Sequence, residues 1–267
     1  MNPQTTYRNC PACNSTAVLG LEKFSKDIWK IAECRVCHFV FLENPVKYKA
    51  LEEDFSWEKT FWLEDGERKK KRGMVKRAAY YLRILGYALK ANPQAKYLKL
   101  LGAGSILDIG CGDVVRWTAP FIPFGIEVSK HLHALADVKM RALGGECYQG
   151  SGAEIIFKLK KNHFDSVMMH SYLEHEIQYR ELLEGCFRCL KPGGKAFVRV
   201  PNYGSLNRRV SGAKWPGFRY PDHVNYFTQH SLRTAAQEAG FQCKITNKAK
   251  IWLDDNIQAL LTKPATT

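Results

Sequence analysis

The sequence predicts an α/β fold, in which helices cover both faces of a mostly parallel sheet, preceded by a small metal-binding module. Two observations indicate this. First, an apolar run ends in Asp108 and is followed at once by Gly110 and Gly112. A buried parallel strand ends in this way when its backbone turns tightly beneath a ligand. Second, the N-terminal part carries two pairs of closely spaced cysteines, which is typical of metal-binding modules.

Seven strands are expected in the second part of the chain, with helices between the first five. Apolar runs bounded by turn residues place these strands near 105–109, 122–127, 146–149, 164–169, 194–200, 241–247 and 256–262. The chain is therefore expected to divide into a metal module over 1–45, a helical cap over 46–100 and an α/β domain over 101–267. Open sheets of this kind bind ligands at the carboxyl ends of their strands, so the ligand site is expected there.

Asp108 and Glu127 indicate the chemistry of the ligand. Glu127 follows a second apolar run about 20 residues further on, where an acid can accept hydrogen bonds from a ribose diol. Dinucleotide sites have a third glycine, because their helix N-terminus holds a pyrophosphate, but that position here is Val115. Asp108 would repel phosphates and suits an ammonium group. The expected ligand is a nucleoside with a positive end and no phosphate, which describes S-adenosylmethionine.

Several motifs together resemble the class I S-adenosylmethionine-dependent methyltransferases, over roughly residues 100 to 263. The resemblance rests on the order and spacing of D-I-G-C-G at 108–112, L-E-H at 173–175, L-K-P-G-G at 190–194 and H-V-N-Y-F at 223–227. The last of these is similar to ubiquinone-pathway and sugar-modifying methyltransferases. The resemblance implies a Rossmann-like seven-stranded sheet whose seventh strand inserts antiparallel between the fifth and sixth. One departure is Val114, where the family often has a glycine.

The resemblance also implies which residues form the cofactor and substrate sites. Cofactor contacts are expected from residues that follow the first four strands, namely Asp108, Gly110, Cys111, Gly112, Glu127, Ser151 and His170. Ser151 stands where many relatives have an acid beside the adenine. Substrate contacts are expected from Tyr172, Asn202, Trp215 and Tyr226. The loop over 203–220 carries rings and arginines that can bind a sugar and a phosphate, or it is a plain cover over the sheet edge.

His175 and His223 are the candidate general bases. Methyl transfer from a sulfonium is an in-line displacement that depends on alignment. A hydroxyl or carbon acceptor must also lose a proton, and histidine suits that role near neutral pH. His175 matches the histidine of the family's Leu-Glu-His motif, and His223 matches the one before its Tyr-Phe pair. For His175, a structural role in orienting a helix remains the alternative.

The N-terminal cysteines predict a structural zinc site. Two C-x2-C pairs are separated by 20 residues, and the predicted ligands are Cys10, Cys13, Cys34 and Cys37. Thiolates at this spacing suit a tetrahedral Zn²⁺ with no open position for chemistry. Disulfides are the alternative, which a reducing cytosol disfavours. Cys186 and Cys189 repeat the spacing without a second pair nearby, so we interpret them as packing residues.

Charge and hydropathy narrow the partners and the location. The chain has a net charge of +14, and a field of that sign attracts acidic ligands, either a small molecule or a nucleic acid. The basic stretch at 68–77 is either a cationic lid or the solvated face of a helix. We find no apolar run of about 18 residues, so no membrane span is expected. The start carries no apolar signal-type stretch, and a cytoplasmic location is expected.

Three functions in different classes remain open from the sequence. The first is methyl transfer to a small acidic acceptor, such as a nucleotide-linked sugar or another secondary metabolite. The second is methylation of a ribosomal RNA base, since some such enzymes begin with a zinc module, although the Asn-Pro-Pro-Tyr-type signature is missing. The third is a non-catalytic scaffold that keeps the fold, which Val114 and the missing adenine-side acid leave open.

Overall fold

The computed structural model of the protein describes residues 5–46 and 93–265. Most of the predicted helical cap over 46–100 lies outside the described residues, and so does the basic stretch at 68–77. The described end of that segment belongs to a helix, α1, which spans Pro93–Leu101. Whether the basic stretch forms a lid therefore stays a prediction.

The described strands are, in chain order, β1 Val18–Gly20, β2 Ile31–Cys34, β3 Val40–Leu42, β4 Gly104–Ile109, β5 Phe121–Glu127, β6 Glu146–Gln149, β7 Phe164–His170, β8 Leu190–Pro201, β9 Asn225–Tyr226, β10 Gln242–Ile245 and β11 Asn256–Thr262. The helices that follow α1 are α2 Lys130–Arg141, α3 Gly152–Ile155, α4 Tyr179–Cys189, α5 Leu206–Ser211 and α6 Gln229–Glu238. Each predicted strand of the second part has its counterpart among β4 to β8, β10 and β11. The prediction of a helix between the first two of these strands was wrong, because residues 110–120 between β4 and β5 form turns and irregular structure.

Seven strands of the described chain form a mixed sheet in the order β10-β11-β8-β7-β4-β5-β6. β4 to β8 run parallel to one another, and β11 pairs antiparallel with both β8 and β10. The predicted Rossmann-like sheet is thus confirmed, including the inserted last strand. Ile106 and Leu107 are neighbours on β4 and are both fully buried. Since neighbouring strand residues point to opposite faces, both faces of the sheet are covered.

Local sequence explains where the helices around the site begin. The hydroxyl of Ser129 accepts a hydrogen bond from the backbone N–H of Leu132 and so caps α2. Thr228 and Ser231 form a reciprocal capping box at the start of α6. Helix α4 buries Cys186 and Cys189 in the core, where the thiol of Cys189 donates to the Ile156 carbonyl. The two cysteines of this second C-x2-C pair therefore pack in the core, as we interpreted them from the sequence.

A second, smaller sheet joins the cysteine module to the α/β domain. In the described residues its order is β1-β2-β3-β9, with antiparallel pairing throughout. Its fourth strand, β9, comes from the H-V-N-Y-F motif, and Tyr226 pairs with Val40 of β3. Phe39 and Phe227 pack in the same hydrophobic cluster, with ring centroids 5.4 Å apart. The module therefore completes its sheet and its core with residues of the α/β domain.

None of the helices in the described ranges is long and apolar enough to cross a lipid bilayer.

Candidate functional site

The loop after β4 is shaped by two glycines. Gly110 has φ +73° and Gly112 has φ +63°, conformations that side chains with a Cβ rarely adopt. A Cβ on Gly110 would lie 2.4 Å from Cδ2 of Tyr172, whereas a Cβ on Gly112 would meet nothing within 4 Å. The backbone at Gly112 therefore faces open space at the carboxyl edge of the sheet, where a ligand can approach it.

Glu127 is the last residue of β5 and is 7% exposed. Its Oε2 accepts a hydrogen bond from the backbone N–H of Gly112 at 2.8 Å, and its Oε1 accepts one from Ser129 at 3.0 Å. One carboxylate thus joins the glycine loop to the start of α2. This position at the tip of the second strand fits the predicted ribose-binding role.

Asp108 lies on β4 and is 4% exposed. Its Oδ2 accepts a hydrogen bond from the indole Nε1 of Trp117 at 2.8 Å. Burial raises the pKa of Asp108 to about 6, so the group is mostly ionised at neutral pH. Sequence reasoning missed Trp117, because nothing in the sequence pattern relates an indole in the following loop to this carboxylate.

Tyr172 lies between the glycine loop and the end of β6. Its ring packs against Gly110, its hydroxyl accepts from the Gly152 N–H at 3.0 Å, and the same hydroxyl donates to Glu176 Oε2 at 3.1 Å. Ser151, buried at the start of α3, is the residue before Gly152. The structure therefore places Tyr172 beside the predicted cofactor residues, and its role toward substrate stays a prediction.

The side chain of Cys111 packs in the core beside the glycine loop. Its thiol is directed at Cys147, with the two sulfur atoms 3.7 Å apart, and packs in a cluster with Ala136 and Met140. The neighbouring thiol and burial raise the pKa of Cys111 far above its usual range, so the group is a neutral thiol. It is not a nucleophile here, because nucleophilic reactivity requires the thiolate.

His170 ends β7 in a positive environment. Burial, together with the charges of Arg199 and Arg116, lowers the pKa of His170 to about 4. The next residue, Ser171, has a left-handed backbone with φ 59°, and its hydroxyl accepts a hydrogen bond from Arg199 at 2.7 Å. The carboxyl end of β7 is therefore neutral at His170 and flanked by guanidinium groups.

The two candidate bases lie against each other. The ring centroids of His175 and His223 are 4.7 Å apart with an interplanar angle of 87°. Nδ1 of His223 is 2.8 Å from the carbonyl oxygen of Gly217, so Nδ1 carries the proton and Nε2 is the basic nitrogen of the neutral ring. Glu174 is 1% exposed, and its Oε1 lies 4.0 Å from Nε2 of His175.

Burial keeps Glu174 and His175 of this cluster neutral. It raises the pKa of Glu174 to about 8, and, together with the charge of Arg219, it lowers the pKa of His175 to about 3. At neutral pH Glu174 is a carboxylic acid and His175 an uncharged imidazole, the form that can accept a proton. One ligand atom each of Glu174, His175 and His223 lies within 4.8 Å of the others.

The buried Glu174 predicts a distinct dependence of stability on pH. A glutamate in the unfolded chain ionises near its usual pKa of 4.5, whereas folded Glu174 ionises only near a pKa of about 8. Between these values the unfolded state has released a proton that the folded state still holds, so rising pH destabilises the fold. Glu174→Gln lacks this titration. The difference between its melting temperature and that of the wild type is therefore expected to increase in favour of the variant from about pH 4.5 to 8.

Thermal unfolding of both proteins across this range measures the effect, with the exposed Glu181→Gln as the matched control. Parallel curves for the wild type and Glu174→Gln would contradict the neutral state of Glu174.

The side chains of the other predicted substrate residues make contacts within the protein. Asn202 donates to the carbonyls of Ile251 and Asp254, and Trp215 packs edge-on against Phe218 at a centroid distance of 5.4 Å. The hydroxyl of Tyr226 donates to the backbone carbonyl of His223 at 2.9 Å. Of the predicted substrate residues Asn202, Trp215 and Tyr226, it is thus Tyr226 that contacts the histidine pair, through its hydrogen bond to the His223 backbone. Substrate roles for all three stay predictions.

The four N-terminal cysteines form a compact cluster. The sulfur atoms of Cys10, Cys13, Cys34 and Cys37 lie within 4.8 Å of one another. The Cys10–Cys37 and Cys13–Cys34 pairs are each 3.5 Å apart, so none of these pairs is a disulfide. Four thiolates around one Zn²⁺ at about 2.3 Å have neighbouring sulfurs about 3.8 Å apart. The cluster therefore fits a tetrahedral Zn²⁺ in its spacing and its donor set.

Comparison with known proteins agrees with the predicted family. A family model described as "Methyltransferase domain" matches residues 76–244, which is more than half of the chain. The chain belongs to this family of methyltransferase domains. The methyltransferase family predicted from the motifs is thereby confirmed.

Similar individual proteins were also found. An uncharacterized protein of Methanocaldococcus jannaschii is 23% identical over 142 residues, which span 53% of this chain and 65% of that protein, slightly less than two thirds of its length. The solved structure of the YcgJ protein from Bacillus subtilis has a TM-score of 0.49 at 12% identity, covering 65% of this chain and 97% of that one. A SAM-dependent methyltransferase from Archaeoglobus fulgidus has a TM-score of 0.47 at 16% identity, covering 69% and 100%.

Proposed function

We propose that this protein transfers the methyl group of S-adenosylmethionine to a small acidic acceptor, such as a nucleotide-linked sugar or another secondary metabolite. The observation that carries the proposal is the close contact of His175 and His223 beyond the carboxyl end of β7, where burial and the charge of Arg219 keep His175 uncharged at neutral pH. This edge of the sheet also carries the glycine loop and Glu127, so a cofactor site and a candidate base face the same region.

The residues present fit S-adenosylmethionine. Glu127 at the tip of β5 can accept hydrogen bonds from a ribose diol, and the open backbone at Gly112 permits close approach. Asp108 supplies negative charge for an ammonium group, and the region of Ser151 and Gly152 at the end of β6 can contact the adenine. When bound, the cofactor supplies an electrophilic methyl group on a sulfonium. The protein's own task is to align the acceptor with that methyl and to remove a proton.

The geometry supports His223 as the group that takes this proton. In the neutral tautomer of His223 the proton is on Nδ1, which donates to the Gly217 carbonyl, and Nε2 is the accepting nitrogen. His175 is uncharged at neutral pH because burial lowers its pKa to about 3. A base with so low a pKa is weak, so we assign proton removal to His223. The role that we assign to His175 is to orient the ring of His223.

The charge around the site supports an acidic acceptor. Arg199, Arg116 and Lys96 all lower the pKa of His170, so three cations act on this edge of the sheet, whereas Arg219 is paired with Asp222 at 3.1 Å. Together with the net charge of +14, they favour phosphate or carboxylate groups on the acceptor.

The cysteine cluster is proposed to hold a structural Zn²⁺, with Cys10, Cys13, Cys34 and Cys37 as ligands.

A transfer assay tests the proposed acceptor class. The protein is incubated with tritium-labelled S-adenosylmethionine and either a panel of nucleotide-linked sugars or structured ribosomal RNA, at rising salt concentration. Transfer to a small acceptor with a shallow salt dependence is expected. Transfer to RNA alone, falling steeply with salt as phosphate contacts are screened, would contradict the small-molecule proposal and favour the RNA alternative.

Replacing the candidate bases separates catalysis from cofactor binding. His223→Gln is expected to lower turnover by about 10² to 10⁴-fold, the usual contribution of a general base, while the affinity for S-adenosylmethionine stays within about threefold. His175→Gln is expected to have a smaller effect on turnover. The exposed His131→Gln serves as the control. Full turnover of His223→Gln would remove His223 as the base.

A further inference from the structure

The two segments that carry the histidines, 173–177 and 223–226, are joined by hydrogen bonds. The backbone N–H groups of Val224 and Asn225 both donate to the Glu174 carbonyl, at 2.8 and 3.1 Å. The side-chain amide of Asn225 is buried and donates to the carbonyls of Leu173 at 3.2 Å and Glu176 at 2.7 Å. The spacing of the two histidines therefore depends on how these segments meet.

Arg8, which belongs to the cysteine module, contacts both segments. Its Nη2 donates to the Val224 carbonyl at 2.6 Å and to Oδ1 of Asn225 at 3.2 Å, and its Nη1 donates to the Ile177 carbonyl at 3.4 Å. Its Nε donates to the carbonyl of Leu42, the last residue of β3, at 3.0 Å. One guanidinium thus joins the module, the segment after His175 and the segment after His223.

The partners of Arg8 show that it does not serve an ion pair. The groups that its guanidinium contacts through hydrogen bonds, among the described residues, are neutral carbonyls and one amide. A planar guanidinium presents five N–H donors in a fixed fork, so it can hold several acceptors in set directions at once. A lysine ammonium in its place has a single centre and cannot reproduce that fork.

Contacts within the cysteine module hold the backbone that carries this guanidinium. Arg8 is two residues before Cys10, and its own N–H donates to the Glu43 carbonyl at 2.9 Å. The guanidinium carbon also lies 5.5 Å from the ring centroid of Phe41 on β3. The position of the guanidinium is therefore set by the module and not by the α/β domain alone.

We propose that Arg8 is a positioning residue, which holds 173–177 and 223–226 in register and so sets the spacing and ring orientation of His175 and His223. The metal module thereby takes part in the geometry of the reaction centre. The assignment of the histidines to catalysis rests on the proposed function, whereas the contacts of Arg8 do not.

The test compares Arg8→Met and Arg8→Lys with a matched arginine in the full-length protein. The control is Arg180→Met, since Arg180 also links the module to the α/β domain, through the Ala12 carbonyl and Glu238, without contacting either histidine segment. For each variant, zinc content, melting temperature and S-adenosylmethionine affinity are measured. The imidazole ¹⁵N signals of His175 and His223 then report the tautomer and environment of both rings, with neither cofactor nor acceptor present.

Arg8→Met is expected to shift the ¹⁵N signals of both histidines, whereas Arg180→Met leaves them at their wild-type positions. Where an acceptor has been identified, kcat is expected to fall about 10 to 100-fold with KM within a factor of about three, because a small misplacement of a catalytic group acts mainly on turnover. Arg8→Lys retains the charge but not the fork, so the same shifts are expected from it. It replaces Arg8→Met in the test if that variant does not fold.

Wild-type histidine signals in a folded, zinc-loaded Arg8→Lys would overturn the positioning role. This outcome differs from a failure of the proposed function, which would appear as missing S-adenosylmethionine affinity or missing transfer in the wild-type protein.

Discussion

Glu127→Ala is expected to weaken S-adenosylmethionine binding by about a hundredfold or more. The carboxylate now accepts hydrogen bonds from the Gly112 and Ser129 N–H groups, so its loss releases the glycine loop from the start of α2. It also removes the proposed acceptor for the ribose hydroxyls. Hydrogen bonds to a charged group contribute about 1.5–3 kcal/mol each, and about 1.4 kcal/mol corresponds to a tenfold change in affinity. Calorimetric titration of the variant measures the effect.

The matched control for Glu127→Ala is Glu154→Ala, because Glu154 is an exposed carboxylate on the neighbouring helix α3. This control is expected to bind the cofactor with wild-type affinity and to have a wild-type melting temperature. If Glu127→Ala is folded and binds as tightly as the wild type, the ribose assignment is wrong.

Cys34→Ser is expected to lose the bound zinc and to destabilise the protein by several kcal/mol. Cys34 is fully buried at the end of β2 and is one of the four clustered sulfurs. A structural Zn²⁺ contributes about 10–16 kcal/mol of apparent binding free energy in zinc-finger peptides, and that energy stabilises the folded state. Here the effect should extend beyond the module, since β3 pairs with β9 and Cys34 packs in the same core as Phe227.

Metal analysis and thermal unfolding of Cys34→Ser, beside Cys243→Ser, measure this prediction. Cys243 is half-buried on β10 and does not belong to the cluster, so its replacement should leave one zinc per chain. Wild-type protein purified without added chelator that contains no zinc would contradict the metal site.

The main sheet could be predicted from the sequence because its determinants are local. The apolar run of β4, the left-handed Gly110 and Gly112, and the acid at the end of β5 are all neighbours along the chain. A short hydrophobic run is consistent with a buried parallel strand, and the glycines that follow it at once favour that assignment. The antiparallel insertion of β11 came from the resemblance to a family, since periodicity alone does not determine strand order.

The join between the module and the α/β domain could not be predicted in this way. β9 has two residues, Asn225 and Tyr226, which are too few for a periodic pattern, and their partners on β3 are far away in sequence. The sequence likewise gives no sign that Arg8 is more than a surface cation, because its hydrogen bond to the Val224 carbonyl forms only in the folded protein. Contacts between a side chain and a distant backbone carbonyl leave no mark on hydropathy or spacing.

The histidine pair was predicted residue by residue, but its electrostatics were not. The motifs identify His175 and His223 as candidates, whereas their contact at 4.7 Å and the neutral state of Glu174 follow from burial in three dimensions. Desolvation depends on every residue packed around a group, so a sequence pattern does not predict the direction of these pKa shifts.

Calorimetric titration of the unmodified protein with S-adenosylmethionine, with its demethylated product and with NAD tests the cofactor assignment most directly. Glu127, Asp108 and the open backbone at Gly112 predict binding of the first two in the micromolar range and no binding of NAD, whose pyrophosphate Asp108 would repel. Heat from neither S-adenosylmethionine nor its product would contradict the account, and the fold would then be a scaffold without a cofactor.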